Sequence, residues 1–334
     1  MAHEINIYQI NQAAPFFVLA PMDDVSDTVF RQVIADCASP DLFFTEFINV
    51  DGLASPGRPN LLKKLRFVAK EGRVVAQLWG LKPENFRIIA SQIADGSLAR
   101  ELGLPDGVNF AGVDLNMGCP AKGEVKNGAC AALIRRESWP LAEQIIRATQ
   151  EGLAGRLPLS VKTRTGFTEV DMAWFDFLLG FDLDMLIVHG RTRKQMSKVP
   201  ADWDLIGCVR EMRDASGAKT LIVGNGDVKN RAHGEELAKT YRLDGIMIGQ
   251  GVLHDPFAFA EQSPWKTYNK DQRIALYRRH VELFAATWQA GERPLHTLNK
   301  FCKIYIQGFD GAKELREKLM LAASTDELVT QLSQ

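Results

Sequence analysis

Gly112-Val113-Asp114-Leu115-Asn116-Met117-Gly118-Cys119-Pro120 decides how the chain is to be read. Residues 112–116 have the apolar, β-branched content of a buried strand, and Gly118 and Pro120 then fix a tight loop around one cysteine. A strand that turns at once into Gly-Cys-Pro presents its cysteine at the strand tip rather than in packing. The same grammar recurs on both sides of this segment. Strands are expected at 16–20, 42–47, 73–79, 158–163, 184–189, 220–225 and 244–249. Helices are expected between them at 26–36, 83–94, 126–150, 170–180, 203–213 and 230–240, while 48–72 reads as loop-rich. Several of the strands are continuous apolar runs, as in a parallel sheet covered on both faces.

The strand ends separate a closed barrel from an open sheet. They read Ala20-Pro21-Met22, Gln77, Asn116 leading to Cys119, Lys162 with Arg164, His189 with Arg191, Asn225-Gly226-Asp227 and Gly249-Gln250-Gly251. A barrel brings every C-terminal tip to one mouth, whereas a doubly wound sheet gathers only a few at its switch point. Chemistry on so many tips favours an α/β chain folded as a (β/α)8 TIM barrel. Strand signals stop near 266, and 271–290, 295–307, 311–322 and 324–332 read as helices, with breaks at Pro294 and 308–311. The expected domains are a barrel over 1–265 and a C-terminal helical domain over 266–334.

Composition narrows the function class. The 334 residues are 46% hydrophobic and 24% charged, with a net charge of -1, so the chain is globular and not coated in basic charge. Residues 266–334 carry 11 Lys/Arg against 8 Asp/Glu, a mild excess that a solvated helical surface would also explain. No stretch reads as a secretion signal or is apolar over the length of a membrane span. The cysteines Cys37, Cys119, Cys130, Cys208 and Cys302 are scattered with no CxxC pair. That argues against a disulfide framework or a zinc site and for a reducing cytoplasm.

Among these cysteines only Cys119 has the context of a reacting group. Cys37, Cys208 and Cys302 sit in helical patterns and read as small packing residues, and Cys130, after Gly128-Ala129, reads as close packing at a helix start. A thiol with an ordinary pKa near ~8.5 is mostly protonated at neutral pH and can donate a proton. Lys162 emerges from an apolar strand and needs an anionic partner. That partner is either a bound anion or a neighbouring strand's carboxylate. His189 is as compatible with a structural role as with a catalytic one. Gly224-Asn225-Gly226-Asp227 and Gly249-Gln250-Gly251 follow strands seven and eight, the usual phosphate site of such barrels. Their glycines let backbone N–H groups approach a phosphate. No GxGxxG opens a helix after an early strand, so a tightly held dinucleotide is not indicated.

Taken together these segments resemble the tRNA-dihydrouridine synthase family, flavoenzymes that reduce uridine in tRNA, in register from about 16 to 330. The marks are Ala20-Pro21-Met22 with Val25-Ser26-Asp27 and Arg31, Gln77, Asn116 through Cys119-Pro120, Lys162 through Gly166, His189 through Thr192, Asn225-Gly226-Asp227, and Ile248-Gly249 with Pro256 downstream. The resemblance implies FMN as cofactor, NADPH as reductant and tRNA as partner. It implies that Cys119 protonates C5 of the uracil after hydride arrives at C6, and that Asn116 holds flavin or base. Pro21, Met22, Gln77, Lys162 and His189 would line the isoalloxazine, and Asn225, Gly226, Asp227, Gly249 and Gln250 the ribityl-phosphate end. Arg164, Arg191, Lys300 and Lys303 would meet the substrate. Lys266, Lys270, Arg273, Arg278, Arg279 and Arg293 are further candidate phosphate contacts in a region similar to the family's RNA-binding domain. No metal and no membrane are expected, and the working form is expected to be a cytoplasmic monomer.

Three positions depart from the family pattern. Asp23-Asp24 replaces small residues, Gln250 stands where an arginine is usual, and Cys130 where a glycine is usual. Two other readings stay open: a flavin barrel acting on a free pyrimidine, like dihydroorotate or dihydropyrimidine dehydrogenases, and a non-catalytic RNA-binding protein whose cofactor site has decayed.

Overall fold

The computed structural model describes residues 15–333. Residues 1–14, on which the argument against a secretion signal chiefly rests, and Gln334 lie outside the described residues. The strands are β1 (Phe16–Leu19), β2 (Phe43–Phe44), β3 (Ile48–Asn49), β4 (Val74–Trp79), β5 (Gly112–Met117), β6 (Leu159–Arg164), β7 (Met185–His189), β8 (Leu221–Asn225) and β9 (Gly245–Ile248). They run in the order β1-β9-β8-β7-β6-β5-β4-β2, with β3 also on β4, and every ladder is parallel. A parallel bridge between Val18 and Leu42 closes the ring, and the Leu19 N–H donates to the Leu42 carbonyl at 3.0 Å. The barrel read from the strand tips is therefore present.

Strand alternation sorts the side chains into two layers. Phe16, Val18, Leu42, Phe44, Val75, Met185, Ile187, Leu221, Val223 and Met247 form an apolar plug inside the barrel. Their neighbours Phe17, Leu19, Val74, Ala76, Val113, Leu115, Leu159, Val161 and Val188 pack outward in the main core with the helices. On the inward face of β4, β5 and β6 the plug gives way to Gln77, Asp114, Asn116, Ser160 and Lys162. Register sets Gln77 beside Asp114, Asp114 beside Ser160, Asn116 beside Lys162, Arg164 beside His189 and His189 beside Asn225.

Several local expectations are corrected. The strand expected at 42–47 is shortened to Phe43–Phe44, where the Thr45 hydroxyl turns to the Glu46 carbonyl at 2.9 Å, and a separate short strand, Ile48–Asn49, follows beyond the expected end. The helix expected at 126–150 begins only at Trp139 and runs to Leu153. Gly128 (φ 90°) and Cys130 (φ 52°) reverse the chain before it, and a proline occupies its first turn. The crossover after β3 holds the short helices Val50–Leu53 and Arg58–Leu62, and Ser97–Glu101 and Gly251–His254 are helical where no helix was anticipated. Cys208 is exposed rather than packed, whereas Cys302 is buried as expected.

Beyond Trp265 the described chain is helical: Lys270–Thr287, Asn299–Tyr305, Ala312–Met320 and Thr325–Gln331, with two short 3-10 turns between the first two. Asn269 caps the first of these reciprocally with Gln272, which starts the helix sharply. The region is docked on the barrel through one continuous core. Phe301 stacks on Phe30 at 5.3 Å, and the Trp288 indole N–H donates to Asp27 at 3.0 Å. Among the described residues, no helix is long and apolar enough to cross a membrane.

Candidate active site

The cysteine loop is built from a buried hydrogen-bond chain. Ser160 Oγ donates to Asp114 Oδ1 at 2.6 Å and Gln77 Nε2 to Asp114 Oδ2 at 2.7 Å. Asn116 Nδ2 then donates to Gln77 Oε1 at 3.0 Å, leaving Asn116 Oδ1 to accept from the N–H groups of Gly118 (3.1 Å) and Cys119 (2.8 Å). A carboxylate at the head of the chain orients both amides, so the loop's shape is transmitted from Asp114. Burial pushes the Asp114 carboxyl up to about 7, against the bonds from Ser160 and Gln77 and the charge of Lys162. Gly118 is needed because a Cβ there would stand 3.2 Å from the Thr163 backbone. Arg164 Nε holds the Gly118 carbonyl at 2.9 Å from β6.

Cys119 itself is half-buried, and its thiol is pulled down to about 7. The main cause is the influence of the neighbouring Cys130 thiol. Burial opposes it, the Ala121 N–H supports it, and Glu124 and Asp23 oppose it. The thiol is thus close to half ionised at neutral pH and remains able to give up a proton.

Beside this loop lies a cavity of about 680 Å³ at the C-terminal tips of the strands. Its wall takes Ala20, Pro21 and Met22 from β1, Pro120 from the cysteine loop, Lys162 and Arg164 from β6, His189 and Arg191 from β7, Asn225 through Lys229 from β8, and Gly249, Gln250, Gly251, Leu253 and His254 from β9, with Met196 and Ser197 covering one side. Gln77, Asn116 and Cys119 sit behind or beside this wall, with Pro120 bridging to the cysteine.

The polar groups of the wall divide into satisfied and unsatisfied ones. Arg191 is buried, paired with Asp227 and bonded to the Val199 carbonyl, while Asp227 also accepts the Ala201 N–H at 2.8 Å. Arg164 reaches the Thr192 (3.3 Å) and Met196 (3.1 Å) carbonyls as well as Gly118, stitching the loops after β5 and β7 together. Lys162, by contrast, donates among the described residues only to the neutral Asn225 Oδ1 at 3.1 Å, and forms no ion pair there with a neighbouring strand's carboxylate. Burial, then the charge of Arg164, pulls the Lys162 ammonium down to about 8, with Asp114 and Cys119 opposing. His189 is driven to about 2 by burial and by the cations Lys162, Arg164 and Arg191, so it is a neutral imidazole, and its buried Nδ1 has no partner. An ammonium with no anion and a ring nitrogen with no partner, on one wall, fit a planar, polar ligand that carries or acquires negative charge.

The structure adds residues the sequence reading passed over. Asp114 and Ser160 were legible in principle, since they share the inward parity of Asn116 and Lys162. Lys229 and His254 stand on the same wall as Gln250 and bring basic side chains to the end where arginine is missing. No local signal marked them. Asp23, one of the unusual acidic pair, is ion-paired with Lys64.

In the helical region Lys300 and Lys303 are exposed and border a second, more apolar cavity of about 340 Å³ with Val25, Phe301 and Ile304. Leu253 and His254 belong to both cavities, which places these lysines next to the barrel mouth. Lys300 also donates to the Asp24 carbonyl. Lys266, Lys270, Arg278 and Arg279 are exposed too. Arg273 and Arg293 are not: Arg273 lies over Trp265 at 4.0 Å and bonds its carbonyl at 2.7 Å, and Arg293 is paired with buried Glu46. Both guanidinium groups are consumed inside the fold, which corrects their reading as phosphate contacts.

Comparison with known proteins agrees with this geometry. The dihydrouridine synthase family model matches residues 18–334. A Bacillus subtilis protein named "Probable tRNA-dihydrouridine synthase 2" is 43% identical over 317 residues, covering 94% of this chain and 92% of that one. A Staphylococcus aureus protein named "Probable tRNA-dihydrouridine synthase" is 42% identical over 316 residues, covering 94% and 90%. Among solved structures, a 2-naphthoyl-CoA reductase complex aligns with a TM-score of 0.52 at 11% identity, over 72% of this chain and 48% of that one. The histamine dehydrogenase from Rhizobium sp. 4-9 aligns with a TM-score of 0.51 at 11% identity, over 80% and 48%. These two likenesses are of fold alone.

Proposed function

The chain belongs to the dihydrouridine synthase family, and from that premise we propose that it reduces specific uridines in tRNA to 5,6-dihydrouridine, with FMN at the barrel mouth and NADPH as reductant. The observation that carries the cofactor assignment is Lys162, a cation on the cavity wall whose hydrogen-bond partner among the described residues is an uncharged amide. A flavin bound there would supply the hydride for C6 of the uracil. Lys162 would offer positive charge to the negative charge such a group acquires on reduction. Neutral His189 offers a ring nitrogen to the same group, and Pro21 and Met22 an apolar edge. Asn225, Gly226, Asp227, Gly249 and Gln250 fit the ribityl-phosphate end, with Lys229 and His254 adding basic side chains beside Gln250. Gln77 and Asn116 act from behind by fixing the cysteine loop.

Cys119 passes its proton from Sγ to C5, leaving a thiolate that solvent reprotonates. Arg164 holds the loop through Gly118 and keeps its side of the mouth positive, whereas Arg191, spent on Asp227 and the Val199 carbonyl, braces the wall and does not meet the RNA. Lys300 and Lys303 meet phosphates next to the mouth. The target base has to leave its stack to reach this depth. The protein works in the cytoplasm as a monomer, where its substrate is found.

The test is the visible spectrum of the purified protein before and after NADPH, followed by a dihydrouridine assay on tRNA lacking the modification. A flavin spectrum bleached by NADPH and restored by tRNA, with dihydrouridine formed, is expected. Turnover of free uracil or orotate with no response to tRNA would replace this reading with a free-pyrimidine one. In Cys119→Ala, dihydrouridine formation is expected to vanish while NADPH oxidation persists; undiminished product would remove the acid assignment.

A further inference from the structure

The turn after β1 stands between the mouth and the helical region. Met22 is on the wall of the cavity of about 680 Å³ and Val25 on that of the cavity of about 340 Å³. Asp24 shares a third cavity, of about 160 Å³, with Lys64, Arg293 and Lys300. The chain closes on itself here. The Met22 carbonyl accepts the N–H groups of Val25 (3.1 Å) and Ser26 (2.9 Å), and the Met22 N–H donates to Ser26 Oγ at 2.8 Å. Asp24 lies inside this turn with φ 55°, a left-handed conformation that aspartate adopts more readily than most residues.

Both backbone groups of Asp24 are taken from outside the turn. Its N–H donates to Glu46 Oε1 at 2.8 Å, and Glu46 Oε2 accepts from Arg293. Its carbonyl accepts from the Lys300 ammonium. Arg293 and Lys300 both belong to the helical region. That region therefore grips one residue of a barrel loop twice, directly through Lys300 and by way of buried Glu46 through Arg293. The acidic pair is drawn into the same junction: Asp23 pairs with Lys64, and an Asp24 carboxylate oxygen lies 3.9 Å from Arg293.

We propose that Lys300 is a positioning residue for the cofactor wall: by holding the Asp24 carbonyl while Glu46 holds the N–H, it fixes the turn that sets Met22 on the wall of the mouth. Supporting groups of this kind keep a binding wall in its productive shape before the ligand arrives. An ammonium has three N–H donors, and the Asp24 carbonyl uses one. An RNA phosphate arriving at Lys300 thus meets the same amine that steadies the cofactor wall, and the helical region is part of the cofactor site as well as a surface for RNA. The inference rests on the flavin reading of the mouth for its purpose, but not for the grip itself.

Hydrogen exchange of the peptide spanning 22–26, read by mass spectrometry on the flavin-free protein, tests the grip, and FMN titration without RNA tests its purpose. Lys300 is exposed, so Lys300→Ala should fold normally. In that variant, exchange across the turn should quicken and FMN should bind more weakly, each by about threefold to fivefold, the low end for a hydrogen bond to a charged group. Lys300→Arg, which keeps a charged donor, should recover most of both. Lys313→Ala, which removes an exposed lysine 3.9 Å from Glu317 elsewhere on the helical region, should change neither. Unchanged exchange in Lys300→Ala overturns the proposal, as does quickened exchange with FMN affinity equal to wild type. If no variant and no wild-type protein takes up FMN, the flavin reading falls, and quickened exchange in Lys300→Ala still upholds the grip.

Discussion

Lys162 at the barrel mouth and Arg293 at the junction with the helical region are both cations withdrawn from water, and the fold treats them in opposite ways. Arg293 is 5% exposed and donates to fully buried Glu46, with Asp27 at 3.6 Å and Asp24 at 3.9 Å, and it lies over Trp288 at 5.0 Å. Lys162 has one neutral oxygen at 3.1 Å. Arg31 follows the first pattern, paired with Glu71 with both side chains at 0% exposure and capped by the Ser26 (2.7 Å) and Arg66 (2.8 Å) carbonyls. A cation whose carboxylates come from the chain is part of the scaffold. One left with an amide has its counter-charge supplied from outside, and that distinguishes a binding wall from a core.

Removing each cation should therefore have different consequences. Arg293→Ala leaves Glu46 buried beside Asp27 without its counter-charge and should cost about 3–5 kcal/mol in urea unfolding. Lys162→Ala orphans no carboxylate and should cost less than about 1 kcal/mol or stabilise the unliganded protein. Equal losses in the two variants would erase the distinction.

Flavin retention should reverse the ranking. Lys162→Ala is expected to weaken FMN binding about tenfold to a hundredfold, in line with the ~1.5–3 kcal/mol of a hydrogen bond to a charged group. His189→Ala should weaken it less. Fluorescence titration of FMN into the stripped protein reads both, and unchanged affinity in Lys162→Ala would contradict the cofactor assignment.

A finer comparison uses pH on the stripped protein. Lys162 titrates at about 8 when folded against an ordinary 10.5, so between these values the unfolded chain binds more protons than the folded one. Stability should consequently gain an increment as pH rises from about 8 to 10.5, relative to Lys162→Met, which has no ammonium to relieve. Parallel pH profiles of the two proteins would show that the lysine is not held at a cost. The smallest effect belongs to the rim: Lys303→Ala should weaken tRNA binding a few-fold and lower the salt slope by about 1, with stability unchanged. A salt slope identical to wild type would take Lys303 off the RNA path.

Legibility in the sequence followed the range of the interaction. Pro83–Ala94 is a helix where the 3.6-residue period put one, because its apolar face and Pro83 are local signals. The helix expected from 126 failed until Trp139 because one period was read across Gly128 and Cys130, whose backbone conformations interrupt it. In the site, Cys119, Lys162, His189 and Asn225 were visible as polar tips of apolar strands. Lys229 and His254 were not, since nothing near them in sequence says which wall they stand on.

The sequence by itself determined the parallel barrel, the mouth at its strand tips and the cysteine loop, because strand parity and Gly-Pro turns act over a few residues. Tertiary structure alone decided which cations are spent. Arg293 meets Glu46 across 247 positions of chain, and only ring closure and docking of the helices bring them together. It also decided that the segment at Cys130 returns to the cysteine loop, where the Ala131 N–H meets the Cys119 carbonyl, since a chain reversal at two left-handed residues, not any spacing rule, brings it back.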